Sequence, residues 1–208
     1  MKAGRFVQHL SASRDAAAPG WQQLVEAFLA SANEASAFRP EGVTYHTRLV
    51  QQVPVDVFTP PSAQGAVLLL HGGNYLLPVV DAYRNVARDI ALATGKTVVL
   101  PDYAVAPYRY PEALGEVLTV WEWMYAQDDR ICLVGDGSGA NLALSLSLFL
   151  AGEDVRMPAC MALLSPQVDM TCSGHSYYDN YYLDVLYGQK HLAGQDIPDA
   201  FKASPMWA

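Results

Sequence analysis

Short apolar runs alternate along the middle of the chain with longer segments whose apolar residues recur at helical spacing. Three helices are predicted in those longer segments, over 81–94, 111–126 and 139–151. The alternation predicts βαβ units, and therefore an α/β fold with a mostly parallel central sheet and right-handed crossovers. The run 66–70 is apolar on both faces, which is typical of a strand covered on both sides of a sheet. Further strands are predicted at 97–100, 130–134 and 159–164.

The two ends of the chain carry further patterns. A stripe of apolar residues predicts a helix over 19–36, and the segments 43–49 and 53–58 alternate as two strands. The helix at 139–151 is apolar on nearly every side, so we expect it to be buried. Towards the carboxyl terminus the pattern fades, and one further helix is predicted around 179–192.

Composition narrows the classes of protein and partner. A chain of 208 residues, 51% hydrophobic and 16% charged, is typical of one packed globular domain. Its formal net charge of −8 argues against nucleic acid, whose phosphates attract basic surfaces. The same charge favours a neutral small molecule as the ligand.

The sequence gives no sign of a secretory signal or of an apolar run long enough to span a bilayer. We therefore expect a cytoplasmic protein without a membrane span. Three cysteines match no zinc pattern, and we expect neither a metal nor a cofactor. Cys132 and Cys160 fall inside predicted strands, where cysteine is usually a small buried hydrophobe.

Residues 133–144, LVGDGSGANLAL, place a glycine-rich turn between a predicted strand and a predicted helix. Gly135, Gly137 and Ala140 fit the dinucleotide-binding pattern G-x-G-x-x-[GA]. That pattern normally follows the first strand of its unit and needs an acidic residue at the tip of the next strand; this chain meets neither condition. The alternative is the strand–turn–helix elbow G-x-S-x-G, with Gly135 and Gly139 as its glycines. Its nucleophile position is then Gly137, which has no side chain.

Two more loops follow predicted strands, whose carboxyl ends are where sites collect in open α/β sheets. In the loop His71–Asn74, HGGN, two glycines let the backbone approach a ligand, so that two N–H groups could hold a developing oxyanion. A plain tight turn with a capping histidine explains the same residues equally well. In 102–107, DYAVAP, Asp102 is either a catalytic acid or, as is more usual, a side chain that fixes a turn.

Taken in order, these motifs carry a family resemblance. HGGN, DYAVAP, RYPEAL, GDGSGANLAL, LLSPQVDMT and ASPMWA follow one another in the chain. The set resembles the hormone-sensitive-lipase branch of the α/β-hydrolases, which includes many bacterial carboxylesterases and shows HGGG, DYRLAP and GDSAGGNLA at the corresponding places. The resemblance implies an α/β-hydrolase fold and carboxylic-ester hydrolase (esterase or lipase) ancestry. It also implies an N-terminal helical cap over 1–40 and a partial core domain over 41–208 that lacks the usual C-terminal strands.

Carried over residue by residue, the resemblance implies an oxyanion hole made by the backbone N–H groups of Gly72, Gly73 and Ser138. Asn74 stands where the family has a third glycine. The nucleophilic serine corresponds to Gly137, so the elbow offers no hydroxyl at that position. Ser138 is the alternative nucleophile, but the elbow is not centred on it, and its ordinary role would be a helix N-cap.

The resemblance also implies a substrate pocket with His71, Asn74 and Asp136 in it. In the family the triad Asp and His follow the ASPMWA-like segment, with which this sequence ends, and neither His175 nor His191 lies in a comparable context. We therefore expect an impaired enzyme, since removing the nucleophile or base of a triad lowers turnover by about 10⁶. A sheet edge without its outer strands favours a homodimer.

Four functional hypotheses follow. The first is a serine-ester hydrolase by ancestry that is inactive as it stands. The second is a receptor-like pseudo-hydrolase that binds a neutral ester or a hydrophobic ligand, as suggested by the resemblance of the same family to plant gibberellin receptors. The third is a nucleotide-binding protein, and the fourth a truncated product without a function of its own. Saturable binding without turnover separates the second from the first.

Overall fold

The computed structural model describes residues 21–180, except positions 107, 109, 129, 154 and 172. The elements predicted between 19 and 164 are confirmed, with bounds that shift by no more than two residues. The helix predicted around 179–192 lies almost wholly outside the described residues. The helices are α1 (Trp21–Ala35), α2 (Asp81–Thr94), α3 (Glu112–Tyr125), α4 (Ser138–Gly152) and α5 (His175–Asp179). The strands are β1 (Thr44–Val50), β2 (Val53–Thr59), β3 (Ala66–Leu70), β4 (Thr97–Pro101), β5 (Ile131–Asp136) and β6 (Cys160–Leu164).

The six strands form one sheet in the order β1-β2-β4-β3-β5-β6. From β4 to β6 all neighbours are parallel, whereas β1 and β2 run antiparallel at the other edge. The sheet is therefore mostly parallel, as the alternation of strands and helices predicted. Because the chain passes from β3 outward to β4 and then back across to β5, the loops that follow β3 and β5 lie side by side at the carboxyl edge.

The core has two layers, one on each face of the sheet. Leu68 of β3 faces the layer that holds Trp121 of α3 and Leu146 of α4, and all three are almost completely buried. Adjacent residues of a strand face opposite sides of the sheet, so Val67, which precedes Leu68, packs in the layer beneath α2, with Ala87. Burial on both faces explains why β3 reads as a continuous apolar run.

The other edge of the described sheet, at β6, is open. Most of β6 is exposed, Leu164 by 54%. Cys160 is exposed too, so the prediction that it is a buried hydrophobe is wrong, because an edge strand is covered on one side at most; Cys132 on β5 is half-buried. The prediction for α4 is wrong in part. Its inner face is buried, but Leu148 and Phe149 are 41% and 42% exposed, because the helix packs one face on the sheet and leaves the other open.

A buried carboxylate ties the antiparallel edge to α2. Asp56 on β2 is 6% exposed and accepts hydrogen bonds from the Tyr45 and Thr47 hydroxyls at 3.0 and 2.8 Å. Arg84 donates its Nε–H to the same carboxylate at 2.7 Å and a second N–H to Asp81 at 2.8 Å. A buried charge is stable only when it is paired and hydrogen-bonded, and this one is both.

The chain divides into two compact units, one of residues 32–167 and one of residues 1–31 with 168–208. The first unit contains the whole sheet. In the second, Asp169 accepts hydrogen bonds from the backbone N–H and hydroxyl groups of Thr171 and Ser173. Burial raises the pKa of Asp169, but these hydrogen bonds outweigh it and lower the pKa to about 2. Among the described helices, none is long and apolar enough to cross a membrane.

Candidate active site

Three loops with the predicted chemistry leave the carboxyl ends of neighbouring strands. The loop His71–Asn74 follows β3, the loop that begins at Asp102 follows β4, and Gly137 follows β5. The strand order places β3 between the other two, so the three loops meet at one edge of the sheet. This is the edge at which the sequence predicted a site.

The turn after β5 has the backbone of a hydrolase elbow. Strand β5 ends at Asp136, α4 begins at Ser138, and Gly137 joins them with φ 54° and ψ −113°. A Cβ on Gly139 would overlap the carbonyl oxygens of Leu70 and His71, so glycine there lets α4 lie directly against the end of β3. This close approach favours the elbow over the dinucleotide pattern, which does not use Gly139.

Gly137 differs from the other elbow glycines because nothing crowds it. A Cβ built at this position has no atom within 4 Å. The positive φ is a conformation that side-chain-bearing residues adopt only with strain, and such strain is characteristic of functional turns. The turn therefore has a strained conformation with open space beside it, at a residue that has no reactive side-chain atom.

Ser138, the alternative nucleophile, is only 3% exposed. Its hydroxyl accepts a long hydrogen bond from the Tyr75 backbone N–H at 3.4 Å. Ser138 is the first residue of α4, so Gly137 occupies the N-cap position and the N-cap prediction for Ser138 is wrong by one residue. The hydroxyl supports the neighbouring loop from within the protein and does not face solvent.

The first residue of the loop after β3 is a buried histidine that anchors the loop in the protein interior. His71 is fully buried and stacks on Tyr103, with ring centroids 4.2 Å apart and planes 13° from parallel. Burial lowers the pKa of His71, so the ring is neutral at pH 7 and its Nδ1–H donates to the Gly72 carbonyl at 2.8 Å. The Tyr103 hydroxyl donates to the His71 carbonyl at 2.5 Å. This geometry gives His71 a supporting position; that it lines a pocket stays a prediction.

The two residues that follow His71 are the glycines of the loop, Gly72 and Gly73. A Cβ on Gly72 would lie 2.5 Å from the Tyr83 hydroxyl and 2.9 Å from the Asp136 carboxylate, so this backbone is packed against both groups. Gly73 has φ 125°, and its carbonyl accepts the N–H groups of two following residues in a tight turn. Asn74, at the family's third glycine, has φ 57°, a conformation that asparagine tolerates better than most residues.

Short hydrogen bonds join the loop after β3 to α4, and α2 to the end of β5. The Tyr75 hydroxyl donates to Asn141 Oδ1 at 2.6 Å, and Asn141 Nδ2 donates to the Gln167 carbonyl beyond β6 at 2.7 Å. The Tyr83 hydroxyl donates to Asp136 at 2.6 Å. Asp136 is thus engaged beneath the loop, and its predicted place in a substrate pocket is untested.

Asp102 fixes a turn, as its more usual interpretation predicted. Its Oδ1 accepts the Val79 backbone N–H at 2.9 Å, and its own N–H donates to the Pro54 carbonyl at 2.9 Å. A few residues along, the Ala104 N–H donates to Glu116 of α3 at 2.5 Å. The loop after β4 is therefore anchored on both sides.

Sequence reasoning missed the three tyrosines that organise this edge, Tyr75, Tyr83 and Tyr103. Burial raises the pKa of both Tyr75 and Tyr103, so their phenols remain protonated hydrogen-bond donors. Two of them were signalled by position, since Tyr75 follows HGGN directly and Tyr103 follows Asp102. Among the described residues, no group of three His, Cys, Asp or Glu side chains is arranged to hold a metal ion.

Comparison with known proteins agrees with this geometry. A family model described as the alpha/beta hydrolase fold matches residues 67–205. An esterase from Acinetobacter venetianus is 31% identical over 183 residues, which cover 81% of this chain and 60% of the relative. An ethyl acetate hydrolase from Pseudomonas putida is 30% identical over 156 residues, covering 67% of this chain and 49% of the relative. The chain thus matches only about half to three-fifths of the length of these two relatives.

Solved structures give the same result. A crystal structure of an esterase from the bacterial hormone-sensitive lipase family has a TM-score of 0.75 and 26% identity, covering 98% of this chain and 72% of that one. An esterase/lipase from an uncultured bacterium, at 23% identity, has a TM-score of 0.76 with the same coverage and shows likeness of fold. The fold is that of these esterases over nearly the whole chain.

Proposed function

Because the chain belongs to the α/β-hydrolase family, in its hormone-sensitive-lipase-like branch, we propose that it binds a neutral carboxylic ester without cleaving it by a serine mechanism. The observation that carries this proposal is Gly137: the elbow backbone is intact, with φ 54°, and the nucleophile position has no side chain. The ligand class follows from the relatives, one named an esterase and one an ethyl acetate hydrolase.

Loss of the nucleophile affects the chemical step far more than binding. In a serine esterase the hydroxyl attacks the ester carbonyl, and the backbone N–H groups hold the oxyanion that forms. Without the hydroxyl, the rate advantage that remains over water is about 10³ to 10⁴, from the oxyanion hole and binding alone. Ser138 does not replace it, because its hydroxyl is buried and engaged by the backbone N–H of Tyr75.

Binding uses the parts of the frame that remain. In this proposal the N–H groups of Gly72, Gly73 and Ser138 face the carbonyl oxygen of the ester, and Asn74 borders the pocket. The nearby carboxylates of Asp102 and Asp136 and the net charge of −8 disfavour an anionic ligand. An uncharged ester or another small hydrophobic carbonyl compound suits this surface best.

Equilibrium dialysis with a short-chain alkyl ester, followed by quantification of intact ester, tests both parts. We expect saturable binding and full recovery of the ester. The variant Gly137→Leu fills the open space beside the elbow and should weaken binding at least about tenfold, or 1.4 kcal/mol. Gly137→Ala carries the same backbone strain with one carbon only and serves as its control, with binding close to the parent.

Each remaining outcome counts against the proposal. If the parent does not bind the ester, ligand binding at this site is wrong. If the ester is consumed more than about 10⁴-fold faster than in water, the loss of turnover is wrong. If Gly137→Leu and Gly137→Ala bind equally, the ligand does not occupy the space beside the elbow.

We also propose a homodimer through β6, whose exposed edge suggests that it can pair with another strand. Sedimentation of the parent should give the mass of two chains. Met161→Lys places a charge on β6, where Met161 is 42% exposed, and should shift the equilibrium to the monomer. Val86→Lys, on the exposed side of α2, should leave it unchanged. A monomeric parent contradicts the proposal.

A further inference from the structure

Two cysteines face each other across the last pair of strands. Cys132 of β5 and Cys160 of β6 are paired in the parallel register. Side chains at paired positions project from the same face of a sheet, and neighbouring strands lie about 4.8 Å apart. A disulfide joins residues whose Cα atoms are about 4.4–6.8 Å apart, so the register alone brings these two cysteines within bonding range.

The two thiols are free and differ in access. Cys160 is exposed on the edge strand, whereas Cys132 is half-buried and packs against the core layer beneath α2. Burial, and then the neighbouring Cys160, raise the pKa of the Cys132 thiol, although the charge of Lys96 opposes this. A reagent in solution therefore reaches Cys160 first and meets Cys132 directly behind it.

We propose that Cys132 and Cys160 form a redox-modification site that closes to a disulfide by exchange with a low-molecular-weight disulfide, such as oxidised glutathione. The Cys160 thiolate attacks one sulfur of the reagent, which forms a mixed disulfide and releases one reduced thiol. The Cys132 thiolate then attacks the Cys160 sulfur and releases the second. The protein dithiol is oxidised, the reagent is reduced to two thiols, and the two protons of the cysteines end on those thiols.

A disulfide between Cys132 and Cys160 would link the edge strand β6 covalently to β5. Within the described sheet, β6 is hydrogen-bonded to a neighbouring strand on one side only. Cys160 is the first residue of β6, and Cys132 is its partner on β5. At its other end the Leu164 carbonyl accepts the backbone N–H of Gly137 at 2.9 Å. A covalent link between β5 and β6 therefore braces the strand on which the elbow rests. The inference does not depend on ester binding.

Peptide mapping of the full chain tests the proposal. Trypsin cleavage after Arg130, Arg156 and Lys190 places Cys132 in the peptide 131–156, and Cys160 together with Cys172 in the peptide 157–190. We therefore use Cys172→Ser as the parent, incubate it with oxidised glutathione and digest it without reduction. Mass spectrometry should find the two peptides linked, with two hydrogens lost, and reduction should separate them.

The single variants separate the two steps of the exchange. In the Cys172→Ser background, Cys132→Ser should stop at a glutathione adduct on Cys160, and Cys160→Ser should react at least about tenfold more slowly because the remaining thiol is half-buried. A glutathione adduct that persists on Cys160 while Cys132 stays reduced would overturn the proposal. So would an unmodified parent under conditions that modify an exposed cysteine peptide.

Discussion

The conformation of Gly137 makes a quantitative prediction about the elbow. Replacing it with alanine adds a Cβ that meets no atom within 4 Å, so the substitution creates no clash. The alanine must nevertheless hold φ near 54° and ψ near −113°, which costs about 1–3 kcal/mol for a residue with a side chain. The same substitution lowers the conformational entropy of the unfolded chain, which stabilises the folded protein by about 0.4–1 kcal/mol. We expect a net loss in the free energy of unfolding of up to about 2.6 kcal/mol.

Gly139→Ala is the matched comparison, because its expected cost comes from a steric clash and not from the backbone conformation. Its Cβ would overlap the carbonyl oxygens of Leu70 and His71, both of them backbone atoms that cannot turn aside. Relief requires α4 to move away from β3, which opens the well-packed layer between them. Overpacking of this kind costs about 1–3 kcal/mol or more, so we expect Gly139→Ala to be at least as destabilising as Gly137→Ala.

Urea unfolding followed by far-ultraviolet circular dichroism measures both variants. Changes in the midpoint at constant slope report stability alone. Gly137→Ser should match Gly137→Ala within about 0.5 kcal/mol, because both carry the same backbone strain into open space. A Gly137→Ala variant more stable than the parent would refute the left-handed elbow. A Gly139→Ala variant as stable as the parent would refute the close packing of α4 on β3.

Three further perturbations have defined outcomes. Asp56→Ala removes one of the two carboxylates that pair with Arg84 and should lower the free energy of unfolding in urea by about 1.5–3 kcal/mol. Tyr75→Phe removes the donor to Asn141 and should cost about 1–3 kcal/mol in the same assay. Asp169 has a pKa lowered to about 2 from 3.8, so its contribution to stability is complete above pH 4 and is lost as the pH falls towards 2; Asp169→Asn should flatten thermal stability across that window.

Each of these has its own control. Asp89→Ala removes a carboxylate whose side chain is 65% exposed and should change stability by less than about 0.5 kcal/mol. Tyr108→Phe, at a residue 65% exposed, should be equally neutral. An Asp56 or Tyr75 variant no worse than its control contradicts the hydrogen-bond networks. An Asp169→Asn variant with the acid sensitivity of the parent contradicts the role given to that carboxylate.

The fold was predictable because its elements are encoded locally. The run 66–70 is apolar on both faces, and β3 is buried on both faces. The exposure of side chains on α4 and β6 could not be predicted in the same way. Leu148, Phe149 and Cys160 are apolar residues in apolar segments, and their exposure depends on what packs beside α4 and β6, which is not a property of the segment itself.

The candidate site divides along similar lines. The loop His71–Asn74 and the elbow at Gly137 carry their own geometry in glycines, so their positions could be predicted from sequence. The burial of Ser138 could not, because it depends on the loop at Tyr75, 63 residues away in the chain. The same holds for the bond between Tyr75 and Asn141, which joins two loops that the sequence keeps apart.

The central claim is that the elbow keeps its shape and lacks its nucleophile. Incubating the protein with a p-nitrophenyl ester of a short acid, and following both p-nitrophenol release and the intact mass of the protein, tests it most directly. We expect no acyl adduct, no initial burst of p-nitrophenol, and a steady rate of its release that Ser138→Ala leaves unchanged. An acyl group on the protein, with a rate that Ser138→Ala abolishes, would contradict it and make Ser138 a displaced nucleophile.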